Sequence, residues 1–294
     1  MFLLLPIISM QIFFPIITSG WEDIEQPSCK KMRDGSYPPY VCKGETSIGR
    51  CFCCSDQQAE SRRIFGWSWL LSESDPKDDK MTCSCSRQRE ALKRTGVSIH
   101  CSENGNYDKL QCDNGLCWCV EPVTGKPTER VYPESMMRYL PCYLEKPSAL
   151  RRYYLRQCES AALARELVLR KFQLHGTKSA HIDMPLCDYD GSYKAFRYDK
   201  EWIHCTEKSG KQIGTYAPKI AEKAVVTCNC ARDSVLFQEE NIEFTQACAE
   251  NGNYEPSQYS NGMKYCVDND GFSTTTLGDD NSEPSCAFTP TRSM

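Results

Sequence analysis

Apolar positions fall into one long run near the start of the chain and many short ones after it. Residues 2–17 are almost wholly apolar and uncharged, and the small residues Thr18, Ser19 and Gly20 follow. This reads as a secretory signal peptide over 1–20, cut near Trp21. The run is shorter than the roughly 20 residues of a spanning helix and holds Pro6 and Pro15, which argues against a membrane anchor. No later run is long enough to span a bilayer, so a soluble mature chain with no membrane partner is expected.

The short patterns predict small elements. Residues 85–93 read as a helix ended by Gly96, and 107–112 and 117–120 as antiparallel strands joined by the turn Asp113-Asn-Gly-Leu. A longer helix is bracketed by Pro147, by Ser148 as N-cap and by Gly176 just past its end, with Leu150, Tyr154, Cys158 and Ala161 or Ala162 on one face. Its basic residues Arg151, Arg152, Arg156, Arg165, Arg170 and Lys171 would suit a sulfated polysaccharide. Glu159 and Glu166 interrupt the set, so a solvated helix face is the plainer reading.

Cysteine usage changes the picture most. The chain has 294 residues and 20 cysteines, all beyond the leading apolar run. An even count in an oxidising compartment argues for disulfides with no thiol left over, in a secreted, extracellular protein. Cys83-Ser-Cys85 and Cys228-Asn-Cys230 have the look of zinc-ligand spacing, but four histidines and a secreted chain favour bridges, so no metal and no cofactor are expected. The net charge of -4, with both signs mixed, gives no case for nucleic acid. No catalytic motif is present: Gly66-Trp-Ser-Trp-Leu70 lacks the closing glycine of a serine nucleophile turn, and no phosphate loop or metalloprotease helix occurs. An enzyme is not expected.

The run QCDNGLCWCV at 111–120 follows Cys101-Ser-Glu-Asn-Gly-Asn-Tyr107 and precedes Cys142. Over 85–142 this resembles the thyroglobulin type-1 module. The resemblance implies the pairs Cys85 with Cys101, Cys112 with Cys117, and Cys119 with Cys142. Partial copies recur. In 187–215 Tyr198 and Ile203 stand where the third and fourth cysteines would be, and in 249–267 Tyr259 and Lys264 do, so both members of one bridge vanish together. The implied pairs there are Cys158 with Cys187, Cys205 with Cys228, Cys230 with Cys248, and Cys266 with Cys286. A divergent copy at the front has Phe52 for tryptophan and an extra Cys54. Counting pairs Cys29 with Cys54, Cys42 with Cys51, and Cys53 with Cys83.

The expected fold class is therefore small, disulfide-rich α+β. It comprises four tandem thyroglobulin type-1-like modules at 21–83, 84–142, 143–229 and 230–294, each a short helix plus a small antiparallel sheet. Modules one and two should form a stiff doublet, as should three and four, each joined through a single residue. Every module is too small to be stabilised by apolar burial alone, and disulfides supply the rest at about 2 to 4 kcal/mol apiece.

The resemblance also carries a function. Some such modules are wedge-shaped inhibitors that put three loops into the cleft of a papain-like cysteine protease, and multi-module chains include inhibitors of aspartic proteases. Mapped here, the loops are 96–100 with Val97, Ser98 and Ile99; 113–116 with Asp113, Asn114, Gly115 and Leu116; and 121–127 with Thr124, Gly125 and Lys126. The third departs from the family, lacking a clean Gly-Thr pair. The alternative is a non-inhibitory extracellular binding or matrix protein. Finally, Arg62-Arg-Ile-Phe-Gly-Trp-Ser-Trp-Leu-Leu71 reads as core for module one through Trp67, Trp69 and Leu70, with a contact hot spot or a processing site after Arg63 as sharper readings.

Overall fold

A computed structural model describes residues 29–43, 50–57, 63–69, 81–92, 99–143, 154–177, 181–223, 225–260, 262–274 and 285–286. The architecture is four small antiparallel sheets with three helices among the described residues. Strands β1 (Tyr40–Lys43), β2 (Arg50–Cys54) and β3 (Arg63–Trp69) form the first sheet. Helix α1 (Ser84–Leu92) precedes the second, built from β4 (Leu110–Asp113), β5 (Leu116–Cys119) and β6 (Tyr132–Pro133) and followed by a 3-10 turn, Glu134–Tyr139. Helix α2 (Gln157–Leu174) leads to the hairpin of β7 (Phe196–Tyr198) and β8 (Ile203–Cys205). Helix α3 (Asn229–Glu239) leads to the hairpin of β9 (Ser257–Ser260) and β10 (Met263–Cys266).

One cross-strand position recurs in all four sheets. It is occupied by Cys42 opposite Cys51, Cys112 opposite Cys117, Tyr198 opposite Ile203, and Tyr259 opposite Lys264. The two cysteine pairs are bridged, each with Cα atoms 4.0 Å apart. Where the cysteines are absent the hairpin keeps its register through backbone bonds and side-chain pairing alone. The remaining bridges are Cys29–Cys54, Cys53–Cys83, Cys85–Cys101, Cys119–Cys142, Cys158–Cys187, Cys205–Cys228, Cys230–Cys248 and Cys266–Cys286. The ten bonds coincide with the pairing the cysteine pattern implies, and no cysteine is free. The core is divided accordingly into small clusters, each built around buried cystine sulfur.

A second repeat is written in polar groups. Cys83 and Cys228 both adopt left-handed backbone, at φ 58° and 57°, just before α1 and α3. Beside each, a buried asparagine accepts from a threonine: Asn106 Oδ1 from Thr82 N and Oγ1, at 2.8 and 2.7 Å, and Asn253 Oδ1 from Thr227 N and Oγ1, at 2.7 and 3.2 Å. On α1, Arg87 donates to the carbonyls of Cys54 and Pro38. On α3, Arg232 donates to those of Thr206 and Tyr193. An arginine thus ties each helix to the sheet before it and satisfies carbonyls that burial would otherwise leave unpaired.

The chain then folds back on itself. The first sheet packs on the 229–272 region: Asp233, fully buried, lies 3.2 Å from Lys43 Nζ and 3.3 Å from Arg50 Nε, and accepts from the Tyr254 hydroxyl. Lys43 Nζ sits 3.8 Å over the Tyr254 ring, and Arg63 pairs with Asp268 at 2.7 Å and Asp270 at 2.9 Å. The second sheet packs on the 154–193 region through His100, which is buried, 2.7 Å from Glu159 Oε2 and stacked on Tyr154 at 3.9 Å. Cys101 N donates to Tyr189 O at 3.1 Å. The first two segments therefore clasp the last two rather than trailing beside them.

Three expectations need correction. The first segment shows no helix among its described residues, only a three-stranded sheet, so a helix does not belong to every module. The long helix does not run from Ser148: Tyr154, Leu155 and Arg156 are non-helical, and α2 starts at Gln157, where the Arg156 N–H reaches Glu159 Oε2 at 3.1 Å and caps it. The other end is as read, with Gly176 at φ +80° and Thr177 N bonded to Phe172 O. The strand expected from Tyr107 begins at Leu110, because Tyr107 makes only an isolated bridge with Cys101. Trp67 and Trp69 lie in β3, but their side chains, Leu70 and Ser148 fall outside the described residues.

Candidate functional site

The 113–116 turn is the sharpest exposed feature built by the sequence. Asn114 and Gly115 hold φ of 50° and 77°, the left-handed pair that closes a two-residue hairpin with the twist of its strands. The Cys112–Cys117 bridge closes the base of the turn. Cys117 and Cys119 are both buried and face one side of β5. Leu116 is 46 % exposed. It sits opposite Pro133, and Glu134 N donates to Gly115 O at 2.8 Å, so the 3-10 turn flanks the tip. Val131, Met136 and Tyr139 are also exposed on this stretch, and none of the three was singled out from sequence.

Of the other two loops, 121–127 lies elsewhere, and residues 99 and 100 are the described part of 96–100. Residues 121–127 follow the far end of β5 from the 113–116 turn. There Glu121 accepts from Val123 N and Thr124 N, at 3.1 and 2.6 Å, and these bonds hold its carboxyl below the usual range. Gly125 packs under the Tyr107 ring, where a Cβ would come within 2.7 Å. Lys126 is exposed, and its N–H donates to Thr124 Oγ1. Val97 and Ser98 are outside the described residues. Ile99 is half-buried, and its carbonyl accepts from Arg89 at 2.5 Å, beside Tyr189. The 99–101 segment is thus engaged by the neighbouring 154–193 region, and among the described residues of the three loops the 113–116 tip and the 121–127 loop are open.

The buried polar residues at the joints were missed from sequence. Gln111 donates to the carbonyls of His100 and Asp108, at 2.8 and 2.6 Å, and accepts from His100 N at 3.0 Å. Gln258 repeats this with Ala247 and Glu255. The glutamine before the third cysteine position is a clamp, and its recurrence in both copies was the available signal. Burial holds the His100 imidazole below its ordinary pKa, against the opposing pull of Glu159. Of the basic residues on the long helix, Arg151 and Arg152 are outside the described residues. Arg156 pairs with Asp108, and Arg165 donates to Ile182 O at 2.7 Å. Arg63 is held in β3 and in two ion pairs, a poor setting for a processing enzyme that needs extended, accessible chain. No cluster of three or more His, Cys, Asp or Glu groups suited to a metal occurs among the described residues.

Short helices, small antiparallel sheets, ten disulfides and the Cys-Trp-Cys strand define a cysteine-rich α+β module. The thyroglobulin type-1 repeat family model matches residues 79–135, so the chain carries a thyroglobulin type-1 repeat over that stretch. Among curated relatives, U20-hexatoxin-Hi1a of Hadronyche infensa is 31 % identical over 107 residues, covering 34 % of this chain and 63 % of the relative. Thyroglobulin of Sus scrofa is 24 % identical over 141 residues, covering 45 % of this chain and 4 % of the relative. The chain spans less than two thirds of the length of either.

Proposed function

We propose that the protein is a secreted, non-enzymatic inhibitor of papain-like cysteine proteases, with aspartic proteases as a further target class, and that the 113–116 tip leads its contact. The observation that carries this reading is the braced, exposed tip: a left-handed Asn-Gly turn closed by Cys112–Cys117, with Leu116 exposed and Met136 and Tyr139 exposed nearby. A loop ordered before binding avoids part of the entropic cost of association. Ten disulfides and the toxin relative support an extracellular location. The recurring hairpin register and the repeated asparagine and arginine clamps support four tandem modules. The test is inhibition of a cathepsin L-like protease by the full chain. Submicromolar inhibition, weakened at least tenfold by Leu116→Asp, is expected, and no inhibition at micromolar concentration overturns the reading.

A second reading, a non-inhibitory binding or matrix protein, is favoured by the placement of the other loops. The 99–101 segment faces the 154–193 region, and the 113–116 tip and the 121–127 loop sit at opposite ends of β5 rather than on one edge. An extracellular partner whose capture depends on Leu116 while proteases go uninhibited would select this alternative.

A further inference from the structure

The fold-back leaves a cavity of about 220 Å³ between β2 and β3 on one side and the 188–196 segment and α3 on the other. Apolar surface makes up most of its wall, with Phe52, Phe65, Tyr189 and Phe196 among the lining residues, and seven charged residues, five of them basic, also line it. Aromatic walls with converging charges are the makings of a small-molecule site, here for a ligand of modest size. The charges are not equivalent. Arg50 lies 3.3 Å from Asp233, Arg63 2.9 Å from Asp270, Lys208 2.7 Å from Glu103 and Arg232 3.4 Å from Asp188. Lys194 also lines the cavity, is half-buried, and has no carboxylate within ion-pair distance among the described residues. The acids of the wall, Asp188 and Asp270, are each taken by a guanidinium, so the charge left to a visitor is positive.

We propose that this cavity binds a small monoanion with an apolar body, a carboxylate or sulfonate, with its charge on Lys194 Nζ and its body against Phe52, Phe65 and Phe196. An ammonium in the wall of a partly desolvated cleft attracts an anion more strongly than it would in water. The aromatic walls favour a flat or branched hydrocarbon over a bare inorganic ion. The site depends on the packing of the front of the chain on its back half and not on protease inhibition.

The experiment is calorimetric titration of the full, disulfide-bonded chain with naphthalene-2-carboxylate and with its neutral amide. Saturable one-to-one binding of the acid, at least tenfold tighter than of the amide, is expected. Lys194→Gln should weaken the acid at least tenfold and leave the amide unchanged, while Lys194→Arg should retain the preference. Ala195→Leu, which fills the cavity without touching a charge, should weaken both, with an unchanged circular dichroism spectrum. Absence of saturable binding, equal affinity for acid and amide, or an undiminished Lys194→Gln variant would each overturn the proposal.

Discussion

Asp233 is the point at which the front of the chain is fastened to the back, and Asp233→Asn isolates its charge. The carboxylate is fully buried, with two cations at 3.2 and 3.3 Å that are themselves almost wholly buried. At an effective dielectric of about 20, each contact is worth about 5 kcal/mol of attraction, which the cost of desolvating three charges largely offsets. Burial in fact holds Lys43 below its ordinary pKa despite Asp233. What the substitution exposes is the uncompensated remainder. Asparagine still accepts from the Tyr254 hydroxyl, but the buried Lys43 and Arg50 lose the carboxylate charge at 3.2 and 3.3 Å, a loss of about 3 to 5 kcal/mol. Urea unfolding with disulfides intact, followed by near-ultraviolet circular dichroism, reads the change. Lys43→Met in the Asp233→Asn background should cost much less than in the parent, giving a coupling of about 2 kcal/mol. A loss below about 1 kcal/mol, or strictly additive effects, would refute the clasp.

Three further predictions concern single positions. Burial holds the His100 imidazole below its ordinary pKa of 6.5, so as pH falls below 6.5 the unfolded chain takes up a proton more readily than the folded chain, and stability declines. The melting temperature of the parent should fall more between pH 7 and 5 than that of His100→Gln, by about 2 to 4 °C for each kcal/mol involved. Tyr259→Cys with Lys264→Cys places two cysteines at the register that Cys112 and Cys117 occupy. It should form an eleventh bridge, seen as the absence of free thiol, and raise stability by about 2 kcal/mol. Gly105→Ala would set a Cβ 2.4 Å from Cys53 Sγ at φ +76°. A cost of about 2 to 4 kcal/mol, with incomplete oxidation of Cys53 on refolding, is expected by mass spectrometry.

What the sequence made legible follows from covalent and local constraints. Cysteine spacing, read through the resemblance, anticipated nine of the bonds and counting suggested Cys29–Cys54, while Asp113-Asn-Gly-Leu announced its hairpin because few residues tolerate the two left-handed positions. The joints were hidden for the opposite reason. Lys43, Asp233, Glu159 and Arg63 are indistinguishable in sequence from surface charges, and only the approach of distant segments buries them. The start of α2 was misread because Ser148 is the better intrinsic cap, whereas the helix begins where Glu159, also bonded to His100, can reach back to Arg156 N. The site was partly legible: the 113–116 tip is exposed as expected, but the fate of 99–101 depended on packing against Tyr189, which no local pattern encodes.

The clasp between the first sheet and Asp233 also sets an order of events during synthesis. Cys42 can close on Cys51 as soon as both emerge, and so can Cys53 on Cys83. Lys43 and Arg50, however, wait for an acid that is translated three segments later, at least on the order of ten seconds at ordinary elongation rates. In that interval the first sheet is oxidised but holds its future interface open, with two cations and Phe52 still in water. The disulfides can therefore be complete, segment by segment, before the molecule has its final shape. Docking of the front on the back comes after the first sheet can be oxidised, and it is the step a mutation at Asp233 would stall.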